Sequence, residues 1–225
     1  MGEEIKLIEV KEGILAENAK TAKKNRDKLS ASGTFMLNIM SSPGSGKTSL
    51  ILNTAKRLEQ SFAMGVIEAD IDSTVDAQKV AQAGLQVLQL KTGGFCHLDA
   101  NMVARALDAS HMQGLDILFL ENVGNLVCPA EFDTGSSMNV MLLSIPEGDD
   151  KPLKYPLMFS ACQALIVNKT DYMQLDDFNI DLLQQRVQTL NPDIKIFPVS
   201  CRTGQGLDSW VQWLTQRVQE YKQDN

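Results

Sequence analysis

Residues 37–52 read L-N-I-M-S-S-P-G-S-G-K-T-S-L-I-L, a glycine-rich octet held between an apolar run and an amphipathic segment. A buried strand that passes through such a loop directly into a helix belongs to strand–loop–helix folds, and the octet has the form of a phosphate-binding loop. Several negative charges must be held there with little water. Backbone N–H groups therefore have to converge, and Gly44 and Gly46 permit the close approach. Lys47 is expected to reach the outer phosphates and act in their transfer, and the Thr48 hydroxyl to ligate Mg²⁺, with Ser45 and Ser49 beside them against the ligand. The helix opening near Gly46 adds its positive dipole end. Serine stands at 41, where the G-x-x-x-x-G-K-[ST] pattern has glycine. That position is the strand exit, ahead of the phosphate cradle, so the change should be tolerated.

From Thr34 the pattern strand, loop, helix repeats. Strands are expected at 34–40, 63–69, 85–90, 115–120, 139–145, 164–168 and 195–199, and helices at 46–59, 74–83, 98–110, 180–190 and 207–221. Continuous apolar strands such as D-I-L-F-L-E and A-L-I-V-N require a sheet covered on both faces. The expected fold is α/β, a mostly parallel sheet flanked by helices on both faces, of the P-loop type, with ligands at the carboxyl ends of the strands. Residues 1–33 read as an appendage to the main domain at 34–225: a short strand at 5–10, a helix at 14–29 and a Ser-Ala-Ser-Gly linker at 30–33. With few large apolar residues, this helix should pack on the edge of the main domain and carry no chemistry of its own.

A net charge of −7 without a basic block excludes a nucleic-acid partner held by phosphate neutralisation. No apolar run approaches the roughly 18 residues of a membrane span. The charged N-terminus lacks a signal-peptide core, so a cytoplasmic location and four cysteines present as thiols are expected.

Other strand ends supply partners for a bound nucleoside triphosphate. The strand D-I-L-F-L-E ends at Glu121, and Gly124 follows three residues later. This has the D-x-x-G shape, with a carboxylate for Mg²⁺ and a glycine N–H for the γ-phosphate. Asn168-Lys169-Thr170-Asp171 forms an N-K-x-D tetrad. Its aspartate accepts from the ring N1–H and exocyclic amine of guanine, donors that adenine does not present, and its lysine stem packs on the base. Ser200 and Cys201 open a loop similar to the one that supports the same base. Cys96, His97 and Cys128 lie in loops after strands, and two thiolates with an imidazole suit Zn²⁺ or Ni²⁺. By spacing alone the signal is weak, since an isolated Cys-His dipeptide is more often incidental than a ligand pair. Cys162 reads as packing, Cys201 as a backbone contributor, His111 as a cap or surface residue, and Trp210 and Trp213 as packing on one helix face.

Taken together, P-G-S-G-K-T, G-G-F-C-H-L-D-A, E-N-V-G-N-L-V-C-P-A, N-K-T-D and S-C-R-T-G resemble the hydrogenase nickel-incorporation GTPases, the HypB family of SIMIBI-class P-loop proteins. The resemblance implies binding of GTP and GDP, and Ni²⁺ or Zn²⁺ at Cys96, His97 and Cys128. In the acidic loop at 68–76 it places acids at Asp70 and Asp76, which would join Thr48 and Glu121 around Mg²⁺. Asp76 and Glu121 would then act with Lys47 in catalysis. It further implies a GTP-dependent homodimer that delivers nickel, indirectly, to a hydrogenase large-subunit precursor. Residues 1–33 contain neither Cys nor His, so a separate nickel metallochaperone should supply or share the metal. The alternatives are a regulatory GTP-dependent dimeriser without metal transfer, a urease-type nickel accessory GTPase, and a phosphotransferase.

Asn125 follows Gly124 where Ras-like enzymes carry a water-orienting glutamine, so intrinsic turnover should be slow. Single-turnover hydrolysis of GTP by isolated monomer is expected well below about 1 s⁻¹. A faster rate, measured by phosphate release, would contradict this.

Overall fold

The computed structural model describes residues 10–224, apart from His111 and Asp176. The first helix, α1 (Val10–Ala31), is followed by β1 (Phe35–Ser41), α2 (Lys47–Leu58), β2 (Met64–Asp70), α3 (Val75–Gln82), β3 (Gln86–Lys91), α4 (Ala100–Ala109) and β4 (Ile117–Glu121). Then come β5 (Met138–Ser144), α5 (Lys151–Lys154), α6 (Pro156–Ser160), β6 (Ala164–Asn168), α7 (Ile180–Leu190), β7 (Lys195–Pro198) and α8 (Leu207–Asp224). Three short 3₁₀ turns lie at Cys128–Ala130, Ile145–Glu147 and Thr170–Leu175. The seven strands form one sheet in the order β3-β2-β4-β1-β5-β6-β7, and every pairing is parallel. This is the fold expected from the strand–helix alternation, a parallel sheet flanked by helices on both faces.

Period-two alternation sorts the core. Phe35, Leu37 and Ile39 of β1 face α2 and α8, together with Val66, Ile117, Phe119, Val140 and Ile166. On the opposite face, Met36 packs with Leu118, Leu29 of α1 and Val103 of α4, and Met40 with Met141, Phe159 of α6 and Leu183 of α7. Trp210 is fully buried, donates Nε1–H to Thr54 Oγ1 at 3.0 Å, and pins α8 to α2. Trp213 lies tilted beside it, at 5.8 Å between ring centroids. β1 sits at the centre, with three strands on each side, so the loop leaving it lies at the topological switch point where such folds bind ligands.

The N-terminal expectations need correction in one place, and another lies almost wholly outside the described residues. Of the strand expected at 5–10, only Val10 falls within the described residues, and it opens α1. The segment at 30–33 is a helix end rather than a linker: the N–H of Gly33 reaches the Ser30 carbonyl at 2.9 Å and that of Thr34 reaches the Leu29 carbonyl at 2.9 Å. With Gly33 at φ 66°, these two bonds form a Schellman stop. The chain then enters β1 directly. The short helices α5 and α6, each with proline in its first turn, were not foreseen. The expected cap or surface role of His111 falls outside the described residues.

Candidate functional site

At the carboxyl end of β1 the chain leaves a fully buried strand at Ser41 and enters α2 through Gly46, which sits at φ 106°. A Cβ on Gly46 would lie 2.5 Å from Asn168 Nδ2, so only glycine lets the β6 exit close on this loop. Asn168 donates to the Ser45 carbonyl at 2.9 Å and accepts from the Cys201 N–H at 3.1 Å. Lys169, at φ 62°, donates from Nζ to the Gly44 carbonyl at 2.8 Å. Two members of the N-K-x-D tetrad thus brace the phosphate loop. The Asp171 carboxylate accepts from Ser200 Oγ at 2.6 Å. It lines a cavity of about 390 Å³ with Asn168, Lys169, Cys201 and Arg202, bounded on the loop side by Gly44, Gly46 and Ser49. Cys201 reaches Asn168 through its backbone, as expected, and Cys162 is buried in the core.

Gly44, Gly46 and Ser49 also bound a second cavity, of about 270 Å³, with Lys47, Thr48, Asp76, Lys79 and Glu121. The two cavities therefore adjoin along the loop, with Gly44, Gly46 and Ser49 as their shared wall. Lys47 Nζ donates to Ser41 Oγ at 3.3 Å, and Thr48 Oγ1 donates to Glu121 Oε1 at 2.9 Å. Asp76 is brought to the cavity and paired with Lys79 at 2.7 Å. Asp70 is not brought there: its Oδ1 accepts from the N–H groups of Asp72 and Ser73, closing its own loop turn. Asp72 pairs with Lys91 at 3.1 Å, as a solvated loop acid.

Two contributors, Glu147 and Lys79, were not anticipated from the sequence, and a third, Glu68, was read only as the first acid of the 68–76 loop. Glu68 lies directly opposite Glu121 in the β2–β4 register, and each residue is only 3% exposed. Burial, reinforced by Glu121, Asp70 and Asp76, pushes the Glu68 carboxyl up to about 8. Burial likewise pushes Glu121 up to about 7, against the opposing pull of Lys47 and the Thr48 hydrogen bond. The Oε2 atoms of both residues are buried without a hydrogen-bond partner. Hard oxygen donors so arranged beside Thr48 suit a divalent cation such as Mg²⁺. Glu147 accepts from Ser45 Oγ at 2.7 Å and from Ser144 N at 2.7 Å, steadying the phosphate loop from the far side. Its signal was available in the Ser144-to-Glu147 spacing of a capping box. Lys79 brings a second ammonium to the phosphate cavity.

The loop leaving β4 touches both the phosphate loop and the soft donors. A Cβ on Gly124 would fall within 2.9 Å of Pro43, so these two loops meet at backbone distance. Asn125 donates from Nδ2 to the Cys96 carbonyl at 3.2 Å and accepts from the Val127 N–H at 2.9 Å. Gly93 and Gly94, at φ 63° and 106°, reverse the chain ahead of Cys96, and Pro129 sets the 3₁₀ turn that begins at Cys128. The Cys96 and Cys128 sulfurs are 3.2 Å apart, Cys96 Sγ is 3.8 Å from His97 Nδ1, and the three donors all lie within 4.8 Å of one another. Tetrahedral bonds of about 2.3 Å to sulfur and about 2.0 Å to nitrogen separate donors by roughly 3.5–3.8 Å, so this triad needs little adjustment to hold a metal ion. Burial lowers the His97 pKa, which favours the neutral imidazole that a metal requires, and the ring stacks on Phe132 at 4.1 Å. The hydrogen bond with Cys96, together with burial, pushes the Cys128 thiol up.

The family model for the CobW/HypB/UreG nucleotide-binding domain matches residues 35–198. The hydrogenase maturation factor HypB of Azotobacter chroococcum mcd 1 is 43% identical over 211 residues, covering 93% of this chain and 68% of that protein. The chain belongs to the HypB branch of this family. HypB of Escherichia coli K12 is 42% identical, with 94% of this chain and 73% of that protein aligned. The hydrogenase/urease maturation factor HypB of Helicobacter pylori J99 is 37% identical, with 95% and 89% aligned. Among solved structures, HypB from Archaeoglobus fulgidus superposes with a TM-score of 0.85 at 35% identity, over 91% of this chain and all of that one. HypB from H. pylori in complex with nickel gives 0.86 at 36% identity, over 91% and 96%. A signal recognition particle receptor FtsY from Elizabethkingia anophelis, at 14% identity and a TM-score of 0.52, shares the fold alone.

Within this HypB chain the raised carboxyl values carry a stability consequence. Both folded-state values stand above the ordinary 4.5, so between about 4.5 and about 8 the folded protein keeps protons that the unfolded chain has lost. Stability from this pair is therefore present at low pH and lost as pH rises through that window. In nucleotide-free, Mg²⁺-free protein the urea midpoint should fall across it, and Glu68→Gln should flatten the fall. A wild-type midpoint independent of pH, or an unchanged slope in the variant, would contradict the assignment.

Proposed function

We propose that this chain is a GTP-hydrolysing metallochaperone that binds nickel or zinc at Cys96, His97 and Cys128 and uses GTP-dependent dimerisation to deliver nickel during [NiFe]-hydrogenase maturation. The reading rests on one observation above all. Cys128, whose sulfur is 3.2 Å from that of Cys96, lies four residues beyond Gly124 on the loop packed against Pro43 of the phosphate loop. It is supported by relatives described as hydrogenase maturation factors and by the fold's likeness to a HypB structure in complex with nickel.

In this reading Asp171 accepts from the guanine donors, with Ser200 and the Cys201 backbone supporting the loop and the Lys169 stem against the base. A nucleotide that leaves the Asp171 carboxylate unpaired in the groove loses about 1–3 kcal/mol or more, which is the basis of selection for guanine. Gly44, Ser45, Gly46 and Ser49 line the phosphates with backbone N–H groups. The γ-phosphate draws Lys47 off Ser41 and meets the Gly124 N–H. Thr48, Glu121 and Asp76 would hold Mg²⁺, which would supply charge neutralisation for phosphoryl transfer, and the Asp70 loop would close from the exposed side. Because Asn125 bridges the sensor loop to the Cys96 carbonyl, displacement of Gly124 carries both thiol-bearing backbones with it. Thermodynamic linkage then makes the effect mutual: metal alters nucleotide affinity by the same factor as nucleotide alters metal affinity. Nickel is the cargo, received from a separate nickel metallochaperone and passed on, indirectly, to a hydrogenase large-subunit precursor in the cytoplasm.

The test is a titration of Ni²⁺ and of Zn²⁺ against the empty, GDP-bound and GTP-analogue-bound protein. Wild type should show affinities that differ between the three states. Cys128→Ala should bind metal at least about tenfold more weakly and lose the nucleotide dependence, as expected when one of three donors is removed. Lys47→Ala should abolish GTP binding while its circular dichroism stays that of the folded chain. Equal metal affinity in all three states would leave a regulatory GTP-dependent dimeriser in place of a transfer protein.

A further inference from the structure

Among the described residues, α1 lines neither cavity beside the phosphate loop, and its buried Asn18 and Asn25 point at the backbone that carries the soft donors. Asn18 accepts from the Ala100 N–H at 2.8 Å and donates to the Asp133 carbonyl at 2.8 Å. Asn25, two turns further on, donates to the Ala100 carbonyl at 2.8 Å and to the Thr134 carbonyl at 3.1 Å. Both side chains therefore bridge the same two segments. Ala100 lies three residues after His97, and Asp133 directly follows Phe132, the ring on which His97 stacks, five residues after Cys128.

The burial is close to complete, with Asn18 at 5% and Asn25 at 3% exposure. Between them Ala22 is fully buried, and a Cβ on Gly135 would lie 2.5 Å from its carbonyl oxygen, so helix and loop meet backbone to backbone. Outside this seam Arg26 pairs with both carboxylate oxygens of Asp133 at 2.9 Å. Ala100 opens α4, so its N–H has no acceptor within that helix, and Asn18 supplies one. A helix serving only to cover the sheet would bury apolar residues here. Paired amides instead fix distances, because buried polar groups tolerate little displacement before a hydrogen bond is lost.

We propose that α1 is a positioning element of the metal site: Asn18 and Asn25 hold the Cys96–His97 backbone at a set separation from the Cys128–Phe132 backbone, and so raise metal affinity without contacting the metal. This goes beyond the expectation of an edge-packed helix with no chemistry of its own, and it rests on the metal-binding reading above. No group on α1 is placed in the nucleotide machinery, so metal and nucleotide affinity should separate.

The experiment uses the full chain and titrates Ni²⁺ while following thiolate-to-nickel charge-transfer absorbance, with GDP affinity measured in metal-free protein. Wild type and Cys128→Ala fix the reference. Asn18→Ala should weaken Ni²⁺ binding at least tenfold with a shifted charge-transfer band and GDP affinity within twofold of wild type. Arg26→Ala, on the exposed side of the seam, should weaken it two- to threefold and decides the matter if Asn18→Ala does not fold. Wild-type nickel affinity in the folded variants, or an equal loss of nickel and GDP affinity, would overturn the proposal while leaving the metal site standing. Wild-type absorbance that does not depend on Cys128 would overturn the metal reading, and this inference with it.

Discussion

Neighbouring parallel strands send the loops that leave them toward the same edge of the sheet. β1 and β4 are such a pair, and Gly124 against Pro43 is the contact that results. The groove, the carboxylates and the thiols take their places around it. From the β1 side come Lys47 and Thr48; from the β4 side come Glu121, then Gly124 and Cys128. No side chain fits between the loops at Gly124, so neither is able to move closer to the other. Asn125 then extends the coupling to the turn that holds Cys96. A short stretch of covalent chain thereby joins two donor sets of different hardness, carboxylate and hydroxyl oxygens on one side, sulfur and imidazole on the other.

Two groups of buried polar side chains stand in contrast. Asn122 donates to Asn38 Oδ1 at 3.1 Å, and Asn38 donates to Asn139 Oδ1 at 2.9 Å, a row of amides crossing β4, β1 and β5 in the middle of the sheet. Asn122 also accepts from the Leu98 N–H at 3.2 Å, so that row anchors the chain one residue past His97. Glu68 and Glu121 are the contrast, since each has an orphaned oxygen in a site walled by apolar strands. Placing two carboxylates side by side there is costly without a cation, and the cost marks where one belongs.

The fold was legible because its strands are buried on both faces and so read as unbroken apolar runs, and because each functional loop follows one of them. The loops also announced themselves through short local spacings, such as Gly46-Lys47-Thr48 and Asn168 to Asp171. What escaped is what depends on register or on distant contacts. Glu68 was visible only as the first acid of a loop, and its importance comes from lying opposite Glu121, which the strand pairing alone reveals. Asn18 and Asn25 looked like ordinary polar positions on a weakly amphipathic helix, and their partners lie 75 to 115 residues away. Asp70 was drawn toward the phosphates by family resemblance, whereas its short side chain turns back on its own loop. Cys96, His97 and Cys128 gave no spacing signal of their own; the β3 and β4 exits bring them together.

The Schellman stop at Gly33 bears on the mechanics of the whole chain. Two hydrogen bonds lock the corner between α1 and β1, and the strand begins two residues later. Slack is absent from this joint, so force applied along α1 runs straight into the central strand and from there to the loop at its tip. A tether attached ahead of α1 would consequently act as a handle on the nucleotide groove, with the helix as a stiff rod rather than a leash.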